Sequence, residues 1–239
     1  MRTTWVIFKR EFAAYFNSTI AYVFAVVFFL TVGGVYVLFM FREGKADMRL
    51  FFELLPWFFI WLVSGISMRL WAEEKKVGTQ EVLLTLPVTS LQAVLGKYLG
   101  ALAFMLLCLA LTFPFPVALA VLGNPDWGPI IGGYLAAVLV VAMFLAIGAF
   151  FSSITQNQIV AFILTALVLV LLSLAGIPPV YSAIMALQRE TGEFVRWLAV
   201  TYHFGNIARG ILDSRDIVYA LSLTVFFLYL NVAMVEGRR

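Results

Sequence analysis

Residues 127–188 run for 62 positions without one Asp, Glu, Lys or Arg. No soluble fold hides such a stretch, because a globule of this size keeps a polar skin. A helix that crosses hydrocarbon needs about 20 apolar residues, so the stretch holds two crossings and a remainder. The rest of the chain agrees: of 239 residues, 63% are hydrophobic and 12% charged, about half the charge of an average soluble domain. This excludes a soluble enzyme, a disordered chain and a nucleic-acid-binding domain. The net charge of +3 is ordinary for a membrane protein and indicates no nucleic-acid partner. The single cysteine, Cys108, excludes an intramolecular disulfide and reads as a small buried side chain.

Cutting the chain at its charges and turn signals predicts an all-α polytopic membrane protein, a single membrane-embedded domain over 1–239 with six transmembrane helices. They are placed at 17–40, 51–71, 98–122, 129–151, 159–176 and 217–235. The uncharged run 12–41 exceeds a signal-peptide core of roughly 7–15 residues. Pro114 and Pro116 are expected to kink the third span. The polar run Ser152-Ser153-Ile154-Thr155-Gln156-Asn157-Gln158 separates the fourth span from the fifth, and Pro178-Pro179 closes the fifth. With the N-terminus inside, nine Lys and Arg fall on cytoplasmic segments and seven on outer ones, four of those seven in the long segment 177–215. The bias puts both termini in the cytoplasm.

Two stretches read as lying on the membrane. In 1–16, Trp5, Phe8, Phe12, Tyr15 and Phe16 recur near helical spacing, while Lys9-Arg10-Glu11 supplies a polar face. This is the pattern of an interfacial helix, or of the cytoplasmic start of span one. In 177–215, Phe204, Ile207, Ala208, Ile211 and Leu212 follow the i, i+3, i+4, i+7, i+8 template, with Asn206, Arg209 and Asp213 on other faces. That segment should tuck into the outer leaflet or onto the bundle. His203, the only histidine, cannot build a zinc site alone and reads as a hydrogen-bonding residue of an outer loop. No cofactor or metal is called for.

The loop between spans two and three carries the most information. Helix two is expected to continue through Glu73 and Glu74 and end with Lys75 and Lys76 in its last turn, stopped by Gly78. Thr79 then caps a short helix with Glu81 in its first turn, and Pro87 ends it. Thr89-Ser90-Leu91-Gln92 is a capping box that opens helix three. Val82, Leu83, Leu84 and Leu86 give the short helix 78–87 more apolar surface than it can hide. Such surface marks a docking site, or packs under the bundle.

This loop resembles that of permease subunits of type-2 ABC exporters, in which E-x-x-x-G-T-x-E-x-L-L-x-x-P leads to Gly-Lys before the third span. Glu74, Gly78, Thr79, Glu81, Leu83, Leu84, Pro87, Gly96 and Lys97 occur here in that order. A second match, His203-Phe204, Arg209-Gly210-Ile211-Leu212-Asp213, Arg215-Asp216 and Tyr219, is similar to the branch that includes gliding-motility and copper-enzyme-maturation permeases. The resemblance covers essentially the whole chain. It implies an inner (plasma) membrane permease paired with a second protomer, as a homodimer or with a sister permease. Such a pair rests on two cytoplasmic ATPase subunits, with room for an accessory subunit. The helix 78–87 would be the coupling helix docking into the ATPase through Gly78, Thr79, Glu81, Leu83, Leu84 and Pro87. The helix 1–16 would be an interfacial elbow in contact with membrane lipid, and the Ser152–Gln158 turn a lesser contact. The partly re-entrant outer segment, with His203, Arg209, Asp213 and Asp216, would close the exit path.

No G-x-x-x-x-G-K-[ST] phosphate loop occurs in the chain, so ATP-driven work calls for a partner and the chain is not read as an enzyme. An ion-coupled transporter needs ionisable side chains at membrane depth; here only Glu53 approaches one end of a span. An intramembrane protease would pair Ser67 with His203, which the predicted topology puts on opposite sides. A non-transporting scaffold is the remaining alternative. An uncharged interior suits a lipid-like, apolar or peptide cargo better than a small ion.

Overall fold

The computed structural model describes residues 2–43, 47–79, 87–211 and 213–237. Twelve helices and no strand occur among the described residues. They are α1 (Arg2–Phe16), α2 (Thr19–Glu43), α3 (Arg49–Ser67), α4 (Arg69–Val77), α5 (Ser90–Ala110), α6 (Pro114–Leu122), α7 (Trp127–Ile154), α8 (Gln158–Leu174), α9 (Pro178–Leu187), α10 (Arg189–Leu198), α11 (Val200–Ala208) and α12 (Ser214–Glu236). Five stretches are long and apolar enough to cross a membrane: α2, α3 with α4, α5 with α6, α7 and α12. A sixth is the pair α8 and α9, bent by 72° at the break before Pro178. The protein is an all-α, multi-pass membrane protein.

The sequence explains the centre of this bundle. α7 is apolar all round, the pattern of a helix enclosed by others, and Ala136, Val141, Phe144, Leu145, Ala146 and Ile147 are fully buried. Its glycines let neighbours approach. A methyl group on Gly133 would stand 2.5 Å from the Phe52 ring of α3, and one on Gly132 would collide with the carbonyl of Ile207 in α11. Small residues used this way replace the hydrophobic drive that helices lack in lipid. α2 is the opposite case: Val23, Val26, Val27, Leu30 and Leu38 are all exposed.

Breaks in the long helices have local causes. The α5–α6 interruption falls just before Pro114, where the hydroxyl of Thr112 donates to Leu109 O at 2.6 Å, and Pro116 follows within α6. The α3–α4 break at Met68 is bridged from another helix. Ser152 Oγ of α7 accepts the amides of Trp71 and Ala72 at 3.0 and 3.1 Å, two groups left over at the start of α4. It donates in turn to Met68 O at 3.0 Å.

The segment 177–215 needs a correction. The template that ran one helix through Ile211 and Leu212 fails after Ala208, where α11 ends. Gly210 takes a left-handed turn, φ 83°, which glycine adopts without a Cβ penalty. Ile211 is 62% exposed, and Leu212 lies outside the described residues. Upstream, the remainder of the segment forms α9 and α10, helices the periodicity did not separate.

Candidate functional site

At one end of the bundle, α1, α4, the start of α5 and the close of α7 meet beside the described flanks, Gly78–Thr79 and Pro87, of the loop 78–87. The near flank of the loop is built as its residues dictate. α4 carries Lys75 and Lys76 in its last turn and stops at Gly78, φ 78°, whose amide donates to Lys75 O at 3.2 Å. The Thr79 hydroxyl donates to Glu74 O at 3.4 Å. On the far flank Pro87 is exposed. The Thr89 hydroxyl accepts the Gln92 amide at 3.3 Å, and the Gln92 side chain accepts the Thr89 amide at 3.2 Å. Glu81, Leu83 and Leu84, the middle of the expected coupling helix, lie outside the described residues. Val77 and Leu91, on either flank, are apolar and more than half exposed.

Behind the loop lies a cluster of charges that sequence reasoning did not assemble. The Lys97 ammonium, its side chain 2% exposed, stands 2.8 Å from Glu74 Oε1 of α4 and 3.2 Å from Glu11 Oε1 of α1. Its other face lies over the Trp71 ring, 5.1 Å from the centroid. From the more exposed side, Arg10 Nη2 reaches Glu11 Oε1 at 2.7 Å and Glu74 Oε1 at 3.1 Å. Burial on its own would raise the Glu11 pKa, but Lys97 and Arg10 together outweigh it and hold the carboxyl below its ordinary value. The hydrogen bond from Arg10 to Glu11 stabilises the guanidinium charge and raises the Arg10 pKa further. Alongside, Arg69 Nε donates to Glu73 at 2.7 Å and Nη1 to the Ser18 hydroxyl at 2.5 Å. The Lys75 ammonium donates to Ser153 O at the end of α7.

α1 reaches this cluster because α5 is cut away beneath it. A methyl on Gly96 would lie 2.7 Å from Ile7 Cβ, and one on Gly100 would lie 2.8 Å from Glu11 Cβ and 3.2 Å from the Phe12 amide. The pairing of Gly96 with Lys97 is thus a seat for α1 followed by a cation for its carboxylate. One signal for this was present in the sequence: Ile7, Glu11 and Tyr15 form an i, i+4, i+8 stripe, so an acid stands on the buried side of α1. Tyr15 stacks on Phe104 of α5, ring centroids 4.8 Å apart, and burial raises its pKa. α1 is a helix of its own, separated from α2 at Asn17 and Ser18.

At the opposite end the structure joins two of the four outer residues singled out. His203 Nε2 lies 2.6 Å from Trp197 O and Nδ1 lies 2.5 Å from Asp216 Oδ1. A carbonyl can only accept, so Nε2 donates to Trp197 O, while Nδ1 faces the Asp216 carboxyl. Both side chains are enclosed, only 5% and 4% exposed, so each serves as the other's buried polar partner. Tyr219 stacks on His203 with centroids 4.0 Å apart, and its hydroxyl donates to Leu198 O at 2.6 Å. His203 and Tyr219 thus satisfy consecutive carbonyls at the end of α10, where intrahelical partners run out. Asp213 caps α12 by accepting the Arg215 amide at 2.9 Å. Arg209 is exposed at the end of α11; neither joins the His203–Asp216 pair.

Ser67 and His203 are not brought together as nucleophile and base. Ser67 Oγ donates to Ser64 O at 3.4 Å and packs against Gly148 of α7. His203 shares a small cavity with residues 136–143 of the same helix. A rise of 1.5 Å per residue puts the two about 8–18 Å apart along α7, and both imidazole nitrogens are already engaged. Among the described residues, no group of three or more His, Cys, Asp or Glu is placed to hold a metal ion.

No curated protein matches the chain closely enough to serve as a relative. The family described as ABC-2 family transporter protein matches residues 5–235, a span that takes in both charge clusters, the loop and all the apolar helices. The chain therefore belongs to the ABC-2 family of transporter proteins, as a membrane-embedded permease component.

Proposed function

We propose that this chain is the permease subunit of an ATP-driven exporter and that residues 78–87 dock into a partner ATPase. In this reading the loop end faces the cytoplasm with both termini, in a cell's inner membrane. Two permease protomers, identical or sister chains, stand on two ATPase subunits, and closure of the ATPases opens a path between the protomers. The observation that supports the docking assignment is the construction of the flanks. A left-handed stop at Gly78 and a reciprocal capping box at Thr89 bound a segment whose sequence, Val82 to Leu86, is apolar. The apolar Val77 and Leu91 beside those two points are more than half exposed, which favours docking over packing under the bundle. His203 and Asp216, at the outer end, hold α10 and α11 against the head of α12 and so shape the exit side.

The experiment is a pulldown of the permease with its ATPase subunits after Leu83→Asp and Leu84→Asp. Two carboxylates placed in an apolar docking groove oppose binding by desolvation. The expected outcome is an inserted, folded permease that no longer retains the ATPase. Retention at the wild-type level would overturn the docking assignment.

A further inference from the structure

We propose that Lys97 is a positioning residue that makes α1, α4 and the start of α5 move as one body when force arrives at residues 78–87. This rests on the docking reading above. α4 has nine residues beyond the α3 junction at Met68, whose backbone stays helical, so its side-chain ties help decide where a push on the loop goes. On one side Ser152 fastens its first turn and Lys75 reaches Ser153 O, both on α7. On the other side its Glu74 is held by Lys97, which in the same grip holds Glu11 of α1.

The grip depends on Lys97 rather than on Arg10, although both touch the same oxygens. Glu11 and Glu74 come from helices 63 positions apart in sequence and converge on one ammonium whose side chain is 2% exposed. Without that charge only the Arg10 guanidinium is left to offset the repulsion of the two carboxylates. The Arg10 side chain is 56% exposed, and its attraction is weakened by solvent and salt. Lys97 is also the member fixed from below, by the Trp71 face and by the backbone of α5. Its seat is rigid, because Gly96 and Gly100 bring α1 into backbone contact with α5. Displacing α4 therefore drags Glu11, and α1 with it, through a link shorter than either helix.

The test uses the assembled complex with its co-purified ATPase, in a Cys108→Ala background so that only introduced cysteines carry spin labels. One pair, Lys9→Cys with Lys76→Cys, reports α1 against α4. The other, Lys76→Cys with Val218→Cys, reports α4 against the head of α12. On trapping with ATP and vanadate, the second distance is expected to change while the first stays narrow and constant. Adding Lys97→Met should let the first distance shift or broaden with nucleotide by about one helical turn, roughly 5 Å, with the ATPase still bound. Lys97→Arg, which keeps the charge, should preserve the narrow distribution, an outcome that a purely packing role for Lys97 does not produce. The proposal is overturned if the α1–α4 distance changes with nucleotide in the parent protein as much as the second pair, or stays constant in Lys97→Met. A parent complex that fails to retain any ATPase overturns the docking reading itself, and a bound ATPase with independent α1 motion overturns only the role of Lys97.

Discussion

At the loop end, two cations and two carboxylates from three helices converge on the same pair of oxygens, partly open to water. At the opposite end one histidine and one aspartate are enclosed almost completely, with a tyrosine ring over the imidazole. Both arrangements tie a short helix to a long one, but they fail differently. In charge balance the loop-end cluster has a spare member, since losing one leaves each remaining charge with an opposite neighbour, but without Lys97 that neighbour is the half-exposed Arg10. The His203–Asp216 pair has no spare member, so deleting either side leaves an unpartnered buried group. Asp216 Oδ2 already lacks a hydrogen-bond partner, so nothing nearby is ready to substitute. The redundant end suits a place that must bear load and shift, and the singular end suits a fixed attachment.

Asp216→Ala should show the largest effect. Removing one partner of a buried pair costs about 3–5 kcal/mol, read as a lowered thermal midpoint in detergent, and the double variant His203→Phe with Asp216→Leu should recover much of it. If Asp216→Ala cost no more than Lys97→Met, the contrast between the two ends would collapse. Lys97→Met is expected to cost less, about 1–3 kcal/mol, because Arg10 still contacts both carboxylates. Thr89→Ala removes a side-chain cap at an exposed helix start and should cost about 1 kcal/mol, visible as faster amide exchange in the first turn of α5. The smallest effect is a pH dependence. The Glu11 pKa is depressed in the folded protein from an ordinary value of 4.5, so its contribution is complete above that value and is lost as pH falls through the depressed one. A fluorophore at position 9 should therefore report α1 loosening only in acid below about pH 4.5, and Glu11→Gln should remove that transition. An α1 that loosened on raising the pH instead would contradict the ion-pair assignment.

Much of the loop end was legible because its rules are local. A glycine after two lysines stops a helix, and a threonine three residues before a glutamine starts one; the structure places both at Gly78 and Thr89. The membrane class was legible for a comparable reason: runs without charge have one stable solvent. The His203–Asp216 pair was half legible. Both residues stood out in the sequence, but their separation of 13 positions fits no single-helix spacing and gave no sign that they would meet. The end of α11 was misread because a template of apolar spacing gives no weight to Gly210.

The sequence by itself determined the solvent, the helical class, the caps of the loop and the break before Pro114, since each depends on side chains within a few residues of one another or on bulk transfer into lipid. Only the tertiary structure decided which charges are shared. Glu11, Glu74 and Lys97 are brought together by the glycine seat of α1 on α5. Ser152 closes the α3–α4 break from 81 positions downstream of Trp71. In an apolar medium a polar group is satisfied by whichever partner packing brings within 3 Å, and packing is a property of the whole bundle rather than of any stretch of chain.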